Sequence, residues 1–191
     1  MSKKMYRYFG GFLQAQQNWL NKMARRGYRL VSVGKLLYEF EECPPDSVQY
    51  QVDFIGGKSK RSAQDYAHFL EDVGYKVFYK NFNLNYSVGK VRCRPWAEKG
   101  GRIATNATTF NRELLIVEKE SDGKPFALHT DPADKIQYYE SLRNPWFTIF
   151  ALLALLALLD KSLWLGLCAL LPLIPVLLYQ RQIWRIKREN V

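Results

Sequence analysis

Two stretches in the first half of the chain carry apolar residues at helical spacing, and a glycine follows each. The pattern predicts one helix over Gln14–Arg26, before Gly27, and a second helix from Ser62 through Val73, before Gly74. A glycine in this position commonly ends a helix, because it adopts the left-handed conformation without strain. Alternation typical of strands surrounds both helices. The predicted strands cover residues 5–9, 28–33, 36–41, 48–55, 75–80 and 84–91, and the last two are expected to form a hairpin around residues 81–83.

The two helices and the strands around them follow one another at a constant offset of 47 residues. Trp19 corresponds to Tyr66, and Gly27 corresponds to Gly74. An offset that holds through a helix, its end and the next strand is typical of a duplicated strand-helix-strand-strand unit. The alternative is chance similarity between two amphipathic helices that each end at a glycine.

The predicted fold class is α+β, in which the duplicated unit forms an antiparallel sheet with both helices on one face. A further strand is expected at Glu113–Glu120, after a long polar loop over residues 92–112. The alternation of its strand places Asp53 on the solvent face, as a surface charge. Asp131 and Pro132 are expected to begin another helix that leads toward the C-terminal segment.

The C-terminal quarter of the chain is apolar on every face, unlike the helices before it. Residues Trp146–Leu159 carry no charge, and Leu163–Tyr179 are again uncharged after the polar break at residues 160–162. A soluble core helix would keep a polar stripe, whereas a membrane-spanning helix is apolar all round. The pattern predicts a two-helix transmembrane hairpin. Its segments of about 21 and 25 Å are short for a hydrocarbon core of about 30 Å.

The charges that flank this hairpin predict its orientation. Arg181, Arg185, Lys187 and Arg188 crowd the end of the second segment, while the connecting turn carries one acidic and one basic residue. Positive charges concentrate on the cytoplasmic side of membrane proteins. We therefore expect a multi-pass protein of the cell membrane with both termini in the cytoplasm.

These boundaries divide the chain into five expected regions. They are a duplicated α+β domain over 1–92, a loop with an extra strand over 93–130, a juxtamembrane helix over 131–144, the transmembrane hairpin over 145–180 and a basic cytoplasmic tail over 181–191.

The chain is basic outside the hairpin as well. The net charge is +10, and residues 1–144 hold 23 Lys and Arg against 16 Asp and Glu. Basic charge beside a bilayer attracts anionic headgroups, so membrane lipid is the expected partner and nucleic acid is ranked behind it. The candidate headgroup-facing residues are Arg92, Arg94, Trp96, Arg143, Arg181, Arg185, Lys187 and Arg188. For the loop over 92–112, a purely solvated loop is an equal alternative.

No residue pattern indicates catalysis or metal binding. His68 and His129 are the only histidines and lie far apart in sequence, and the three cysteines form no Cys-x-x-Cys pair. A metal site would need ligands clustered at characteristic spacing. A phosphate loop, a dinucleotide fingerprint and a nucleophile elbow are also absent from the sequence. We expect a protein that is not an enzyme and that uses neither a metal nor a cofactor.

Several stretches together resemble a known family. They are Trp19–Leu30, the run Tyr-Glu-Phe-Glu-Glu-Cys-Pro over 38–44 with residues 50–54, Tyr66–Tyr75, and more weakly residues 130–139. In these stretches the chain resembles the bacterial membrane family catalogued as domain of unknown function 2812. The resemblance covers most of residues 1–144, with 92–112 departing from it. It implies a bacterial inner-membrane protein, brings no catalytic residues, and through neighbouring regulators of the PadR type implies a link to envelope or drug stress.

Two functions remain open. The first is a membrane-anchored sensory or interaction module that binds a small hydrophobic molecule. The duplicated unit resembles, in topology alone, the GyrI-like domains, which hold apolar or cationic compounds in the groove between two repeats. The aromatic candidates to line such a site, or else to fill the core, are Trp19, Tyr28, Tyr50, Tyr66, Tyr75 and Tyr86. Core packing is the favoured role for each of them. The second function is an accessory subunit of a membrane transporter or complex, bound to a protein partner or to another copy of the chain.

Overall fold

The computed structural model describes residues 2–81, 84–88, 91–97, 103–104, 112–126, 128 and 132–189, with the backbone alone at 86–88, 92 and 104. The chain divides into two compact units, an α+β unit of residues 1–93 with 103–129 and a helical unit of residues 94–102 with 130–191. The elements are β1 (Lys3–Tyr6), α1 (Leu13–Arg25), β2 (Tyr28–Val33), β3 (Leu37–Glu42), β4 (Val48–Phe54), α2 (Lys60–Asp72), β5 (Lys76–Lys80), β6 (Tyr86–Val88), β7 (Val91–Cys93), β8 (Ile103–Ala104), β9 (Leu114–Glu120), α3 (Pro132–Leu159) and α4 (Leu163–Glu189).

In the first half of the α+β unit, helix α1 packs on aromatic residues of a small sheet. Strand β3 lies between β1 and β2 and pairs antiparallel with both. Helix α1 buries Trp19, Leu20 and Met23, which share one face at helical spacing. The Trp19 ring centroid lies 4.9 Å from that of Tyr38 and 5.6 Å from that of Phe40, both on β3. Burial of one such large side chain contributes about 1.5–3 kcal/mol, so this aromatic cluster holds α1 in place.

The second helix of the unit is surrounded by strands in the same order. Strand β9 lies between β4 and β5 and pairs antiparallel with both. Ala63, Ala67 and Leu70 of α2 form one buried cluster with Leu115 and Val117 of β9. The small alanines let the helix approach the strand closely, so β9 is buried between its neighbours and α2.

The predicted helices and the α+β class are confirmed. Helices α1 and α2 begin 47 residues apart and end 47 residues apart, at Leu13 and Lys60 and at Arg25 and Asp72. The strand orders β1-β3-β2 and β4-β9-β5 match element by element. The antiparallel strands are divided among three-stranded sheets, and a third sheet contains β6, β7 and β8.

One predicted strand pairing is wrong. The sequence predicts a hairpin of residues 75–80 with 84–91, but β5 pairs with β9, and β6 pairs with β7. Strand β9 begins with Leu114, Leu115, Ile116 and Val117, all at most 1% exposed, whereas residues 84–91 are interrupted by polar side chains. Pairing β5 with β9 therefore buries more apolar surface. In the second half of the unit, β9 takes the position that β3 has in the first half.

The helical unit is built on a hairpin of two long helices. The turn that joins α3 to α4 lies at the predicted break, and Lys161 there has a positive φ of 50°. Helix α3 runs without interruption through Pro145, so the predicted juxtamembrane helix and the first apolar segment are one helix. Helix α4 likewise continues past the apolar segment to Glu189. The helix cap predicted at Asp131 lies outside the described residues.

Candidate membrane anchor and polar clusters

The two long helices pack along a seam of regularly spaced residues. Buried residues of α4 recur at alternating steps of three and four and are Ala169, Pro172, Val176, Tyr179, Ile183 and Ile186. Such spacing keeps one face of a helix against its neighbour, as in coiled coils. Near the charged end of the hairpin, Tyr139 of α3 is buried, with its ring centroid 6.3 Å from that of Tyr179. The hairpin thus has a packed inner face along α4 from Ala169 to Ile186, whereas the buried residues of α3 lie near its charged end, over 138–142.

The outward faces of the hairpin carry large aliphatic side chains that are exposed. The leucines among them, 45–87% exposed, are Leu152, Leu155, Leu156, Leu158, Leu159, Leu163, Leu167, Leu170, Leu171, Leu177 and Leu178. Monomeric soluble proteins rarely expose contiguous apolar patches larger than a few hundred Å². We therefore expect this surface to contact lipid or another protein rather than water.

By length and composition, both helices could cross a membrane. The core helix of a soluble protein can also be this long and apolar, but such a helix is mostly buried. Here only 6% of the most apolar 18 residues of α3 and 22% of those of α4 are buried. The low burial separates the hairpin from an ordinary core helix.

The helices are longer than their apolar segments. Helices α3 and α4 have 28 and 27 residues, which at about 1.5 Å per residue makes each about 40 Å long. A hydrocarbon core is about 30 Å thick, so about 10 Å of each helix would extend beyond it. The charged residues gather at the start of α3 and the end of α4. Those are the ends that would project into headgroups and water.

The projecting end of α4 carries a basic stripe, composed of Arg181, Trp184, Arg185 and Arg188. These four residues are exposed, Trp184 to 63%, and occupy the i, i+3, i+4 and i+7 positions of one helix face. The buried Ile183 lies on the opposite face. Guanidinium groups bind phosphate oxygens strongly, and tryptophan favours the membrane interface. The stripe has the chemistry of a surface that meets anionic headgroups.

Two further headgroup candidates lie at the same end of the hairpin. Lys187 is exposed beside the basic stripe. Arg143 is half-buried, and its guanidinium donates hydrogen bonds to the side-chain oxygens of Gln180 and Asn144. Arg143 therefore also links α3 to α4.

Arg94 and Trp96 are placed differently from the exposed headgroup contacts that the sequence predicts. Arg94 is 7% exposed and Trp96 is 5% exposed. The guanidinium of Arg94 lies 5.5 Å from the centroid of the Trp96 ring, a cation–π distance. Two side chains buried to this extent pack within the protein and have little surface to offer to lipid. The side chain of Arg92 lies outside the described residues.

The aromatic candidates for a ligand groove are distributed over separate clusters. Trp19 belongs to the α1 cluster, and Tyr28 lies beneath Lys3, whose ammonium is 4.4 Å from the ring centroid. Tyr66 and Tyr75 pack against the α2 cluster. The remaining candidates are Tyr50, which is buried, and Tyr86, whose side chain lies outside the described residues. Those that the structure describes do not come together in one groove.

The predicted surface position of Asp53 is wrong, since this side chain is only 6% exposed. Its Oδ1 accepts a hydrogen bond from the amide of Phe54 at 2.9 Å, and its Oδ2 accepts one from the hydroxyl of Tyr66 at 3.0 Å. Burial and this carboxylate raise the pKa of Tyr66. Alternation along a strand could not reveal that α2 supplies a hydroxyl to that face.

A second buried carboxylate joins the two halves of the α+β unit. Glu118 of β9 is 2% exposed and accepts hydrogen bonds from Arg29 of β2 at 2.8 Å and from the Tyr50 hydroxyl at 2.6 Å. That hydroxyl in turn accepts a bond from the Leu30 amide at 2.7 Å. The bond with Glu118 raises the pKa of Arg29, and burial raises that of Tyr50. A buried charge is tolerated when its hydrogen bonds are satisfied, so we interpret this cluster as structural.

Sequence reasoning missed Lys80, a buried lysine at the end of β5. It is 3% exposed, and its ammonium donates to the backbone carbonyls of Lys35 and Asn81. The ammonium lies 5.5 Å from the centroid of the Tyr38 ring. Burial lowers the pKa of Lys80 to about 8, against the opposing charge of Glu113. No sequence signal could have found it, because the exposed Lys76 has the same position in the alternation.

The described residues contain no group of three or more His, Cys, Asp and Glu side chains that could hold a metal ion. The expectations that the protein is not an enzyme and needs no cofactor stay predictions.

An α+β unit together with a hairpin of exposed apolar helices defines the class of this protein, an α+β protein with a candidate membrane anchor. The chain belongs to a family described as protein of unknown function (DUF2812), whose model matches residues 12–151. That match covers 140 of the 191 residues and confirms the resemblance. Comparison with curated proteins and with solved structures gave no match.

Proposed function

We propose that this protein is a membrane-anchored interaction module whose α+β unit lies in the cytoplasm. The exposure of the outward leucines on α3 and α4 carries the proposal. In water each exposed leucine would cost free energy in proportion to its apolar area, about 25 cal/mol per Å². Lipid tails remove that cost, because they are as apolar as leucine.

The orientation follows from the charges at the hairpin ends. The basic stripe and Lys187 lie at the end of α4, and the turn carries only Asp160 and Lys161. An excess of Lys and Arg stays on the cytoplasmic side. The stripe would then lie against the anionic inner leaflet, where each basic residue contributes about 1 kcal/mol of attraction.

Fractionation of cells that express the full chain tests the anchor. We expect the protein in the membrane pellet after washing with alkaline carbonate, which removes proteins bound by charge alone. Recovery in the carbonate supernatant would contradict an inserted hairpin and leave at most a surface association.

Cysteine labelling tests the orientation. In a background with the three native cysteines changed to serine, Ser162→Cys marks the turn and Glu189→Cys marks the end of α4. A membrane-impermeant maleimide should label the first in intact cells and the second only after the inner membrane is permeabilised. The reverse pattern would place the α+β unit outside the cytoplasm.

A protein partner fits the α+β unit better than a hydrophobic small molecule does. The described aromatic candidates for a ligand groove are engaged in separate clusters. Other aromatic side chains are exposed, namely Tyr6 at 77%, Tyr8 at 56% and Phe69 at 60%. Aromatic residues are enriched where proteins bind one another.

These exposed rings also favour the second candidate function, an accessory subunit of a membrane transporter or complex. Mild-detergent purification followed by mass measurement tests this function. A stoichiometric partner that Phe69→Ser removes, with the circular dichroism of the chain unchanged, would support it. A monomer without a partner would contradict it while leaving the membrane anchor in place.

A further inference from the structure

We propose that the α+β unit binds a small oxyanion, the carboxylate or phosphate group of a metabolite, in a cleft beside the first turn of α1. The cleft is lined by Arg7, Gly10, Gln16, Tyr38 and Lys80, among other residues. All of them belong to the α+β unit. The site therefore does not depend on the hairpin or on the proposed membrane anchor.

Lys80 supplies a positive charge from the protein side of the cleft. An ammonium group has three hydrogens. Two of them are donated to the carbonyl oxygens of Lys35 and Asn81, which hold the group in position. Among the described residues, no acceptor receives the third. Since Lys80 is only 3% exposed, a bound anion would meet a charge that water screens weakly.

Tyr38 supplies a second donor that lines the same cleft. Its hydroxyl accepts a hydrogen bond at 3.1 Å from the amide nitrogen of Gln16, so its oxygen is fixed. Within the described part of the chain, nothing accepts the hydroxyl proton of Tyr38. Tyr38 and Gln16 are 0% and 2% exposed. Burial raises the pKa of Tyr38, which keeps the hydroxyl protonated as a donor.

Arg7 supplies a cation at the mouth of the cleft. Its guanidinium carbon lies 5.3 Å from the ring centroids of both Phe9 and Trp19, so the aromatic rings orient the group. No carboxylate of a described residue forms an ion pair with Arg7. Gly10 and Gly11 follow with φ of 57° and 81°, values that let the backbone turn sharply into α1.

The start of α1 adds positive potential to the cleft. Unlike α2, α1 has no side chain that caps its first turn. At the start of α2, the side chain of Ser59 accepts a hydrogen bond from the Ser62 amide at 3.1 Å. The corresponding residue of α1 is Phe12, which offers no side-chain cap, and the first turn of α1 contains no acidic residue. The N-terminus of a helix attracts anions through its amides and dipole. An oxyanion beside α1 would supply the negative charge that its cap does not.

The size and charge of the cleft indicate which ligands it accepts. The cleft is shallow, since its empty volume of about 200 Å³ includes open solvent, so only a small group fits at its mouth. Two cations, Lys80 and Arg7, line the cleft, and one carboxylate, that of Glu113, acts electrostatically on Lys80. The excess of positive charge favours a compact anion over a hydrophobic molecule.

Calorimetric titration of the full-length protein in a neutral detergent and a low-salt zwitterionic buffer tests the site. Inorganic phosphate and acetate are titrated separately, because the two probes distinguish a phosphate ligand from a carboxylate ligand. We expect saturable binding of at least one of them. Arg7→Gln and Lys80→Met should each weaken it by at least about tenfold, since each removes a charged partner.

The matched control is Lys58→Gln, which removes an exposed cation near the capped start of α2 and should leave the affinity unchanged. Arg7 is exposed, so Arg7→Gln keeps the test valid even if Lys80→Met does not fold. Absence of saturable binding in the wild type would overturn the proposal. Equal weakening by all three substitutions would also overturn it, because only net charge would then matter.

Discussion

The two units of this chain place their leucines in opposite ways. In the α+β unit, Leu30 and Leu115 are 0% exposed. In the hairpin, the seam is formed by residues such as Ala169, while Leu163 and Leu171 are 87% and 66% exposed. Leu30 and Leu115 leave water by packing inside the first unit, whereas Leu163 and Leu171 have their side chains on the outside of the second. The difference fits the proposed anchor, in which lipid surrounds the hairpin and water surrounds the α+β unit.

The two units also treat charge differently. The α+β unit buries Glu118 and Lys80, and it satisfies them with hydrogen bonds from neighbouring strands and loops. In the hairpin, charged residues are confined to the turn and to the two ends. A charge in the middle of the hairpin would have no such partners, which is the constraint that a lipid solvent imposes.

The largest predicted effect comes from charging the middle of the hairpin. The double substitution Leu152→Arg with Leu171→Arg places two guanidinium groups on exposed positions near the centres of the apolar segments. Each should cost about 2.5–3.5 kcal/mol of insertion free energy, so the pair costs about 5–7 kcal/mol. We expect the protein to leave the carbonate-resistant membrane fraction.

The matched control changes the same two positions to phenylalanine, which keeps the surface apolar. If the arginine variant stayed in the membrane fraction at the wild-type level, the result would contradict the proposal that lipid surrounds the hairpin.

The next largest effect comes from comparing a leucine-to-alanine substitution in the core of the α+β unit with the same substitution on the outer face of the hairpin. Leu115→Ala removes a fully buried side chain and should lower the free energy of unfolding by about 2–5 kcal/mol. Leu171→Ala should change it little in detergent, because its side chain faces the detergent. Urea unfolding of both variants, followed by circular dichroism, measures the difference. Equal losses would mean that Leu171 is packed against protein.

Most of this difference between the two units can be predicted from the sequence, because the helices of each unit have a distinct pattern of apolar residues. Trp19, Leu20 and Met23 define the buried stripe of α1, and the uncharged run over 163–179 defines the apolar part of α4. The strand at 113–120 is also predictable from its apolar run. Its position between β4 and β5 is not, since local pattern does not specify which edges pair.

The polar sites are less accessible to sequence reasoning. Asp53 and Lys80 occupy positions that alternation assigns to solvent, yet other parts of the unit cover both. Arg94 and Trp96 are basic and aromatic residues in a long loop, a composition that equally describes an exposed patch. Their burial depends on tertiary packing, which composition does not report.

Buried charge in the α+β unit predicts a pH dependence of its stability. The pKa of Lys80 is about 8 in the folded protein, below its ordinary value of 10.5. Between these values the unfolded chain binds the proton and the folded protein does not, so the free energy of unfolding should rise with pH. We expect a rise of about 2 kcal/mol from pH 8 to pH 10. Thermal unfolding without added anions measures it.

Lys80→Met should abolish this rise. The other groups that face Lys80 are Glu113, Arg7 and Tyr38. Tyr38 acts in the opposite sense, because its raised pKa makes its contribution decline above pH 10, so the measurement stops there. An equal slope in the wild type and in Lys80→Met would assign the pH dependence to another group.

The smallest predicted effect separates the starts of the two helices. Ser59→Ala removes the hydroxyl that caps α2 and should lower the free energy of unfolding by about 1 kcal/mol, because the Ser62 amide loses its acceptor. Phosphate or acetate should leave this loss unchanged, while stabilising both proteins through the uncapped start of α1. Thermal unfolding of the wild type and Ser59→Ala, with and without each anion, measures both effects. Selective restoration of the stability of Ser59→Ala by either anion would show that the anion also binds at the start of α2. That result would contradict the proposed difference between the starts of α1 and α2.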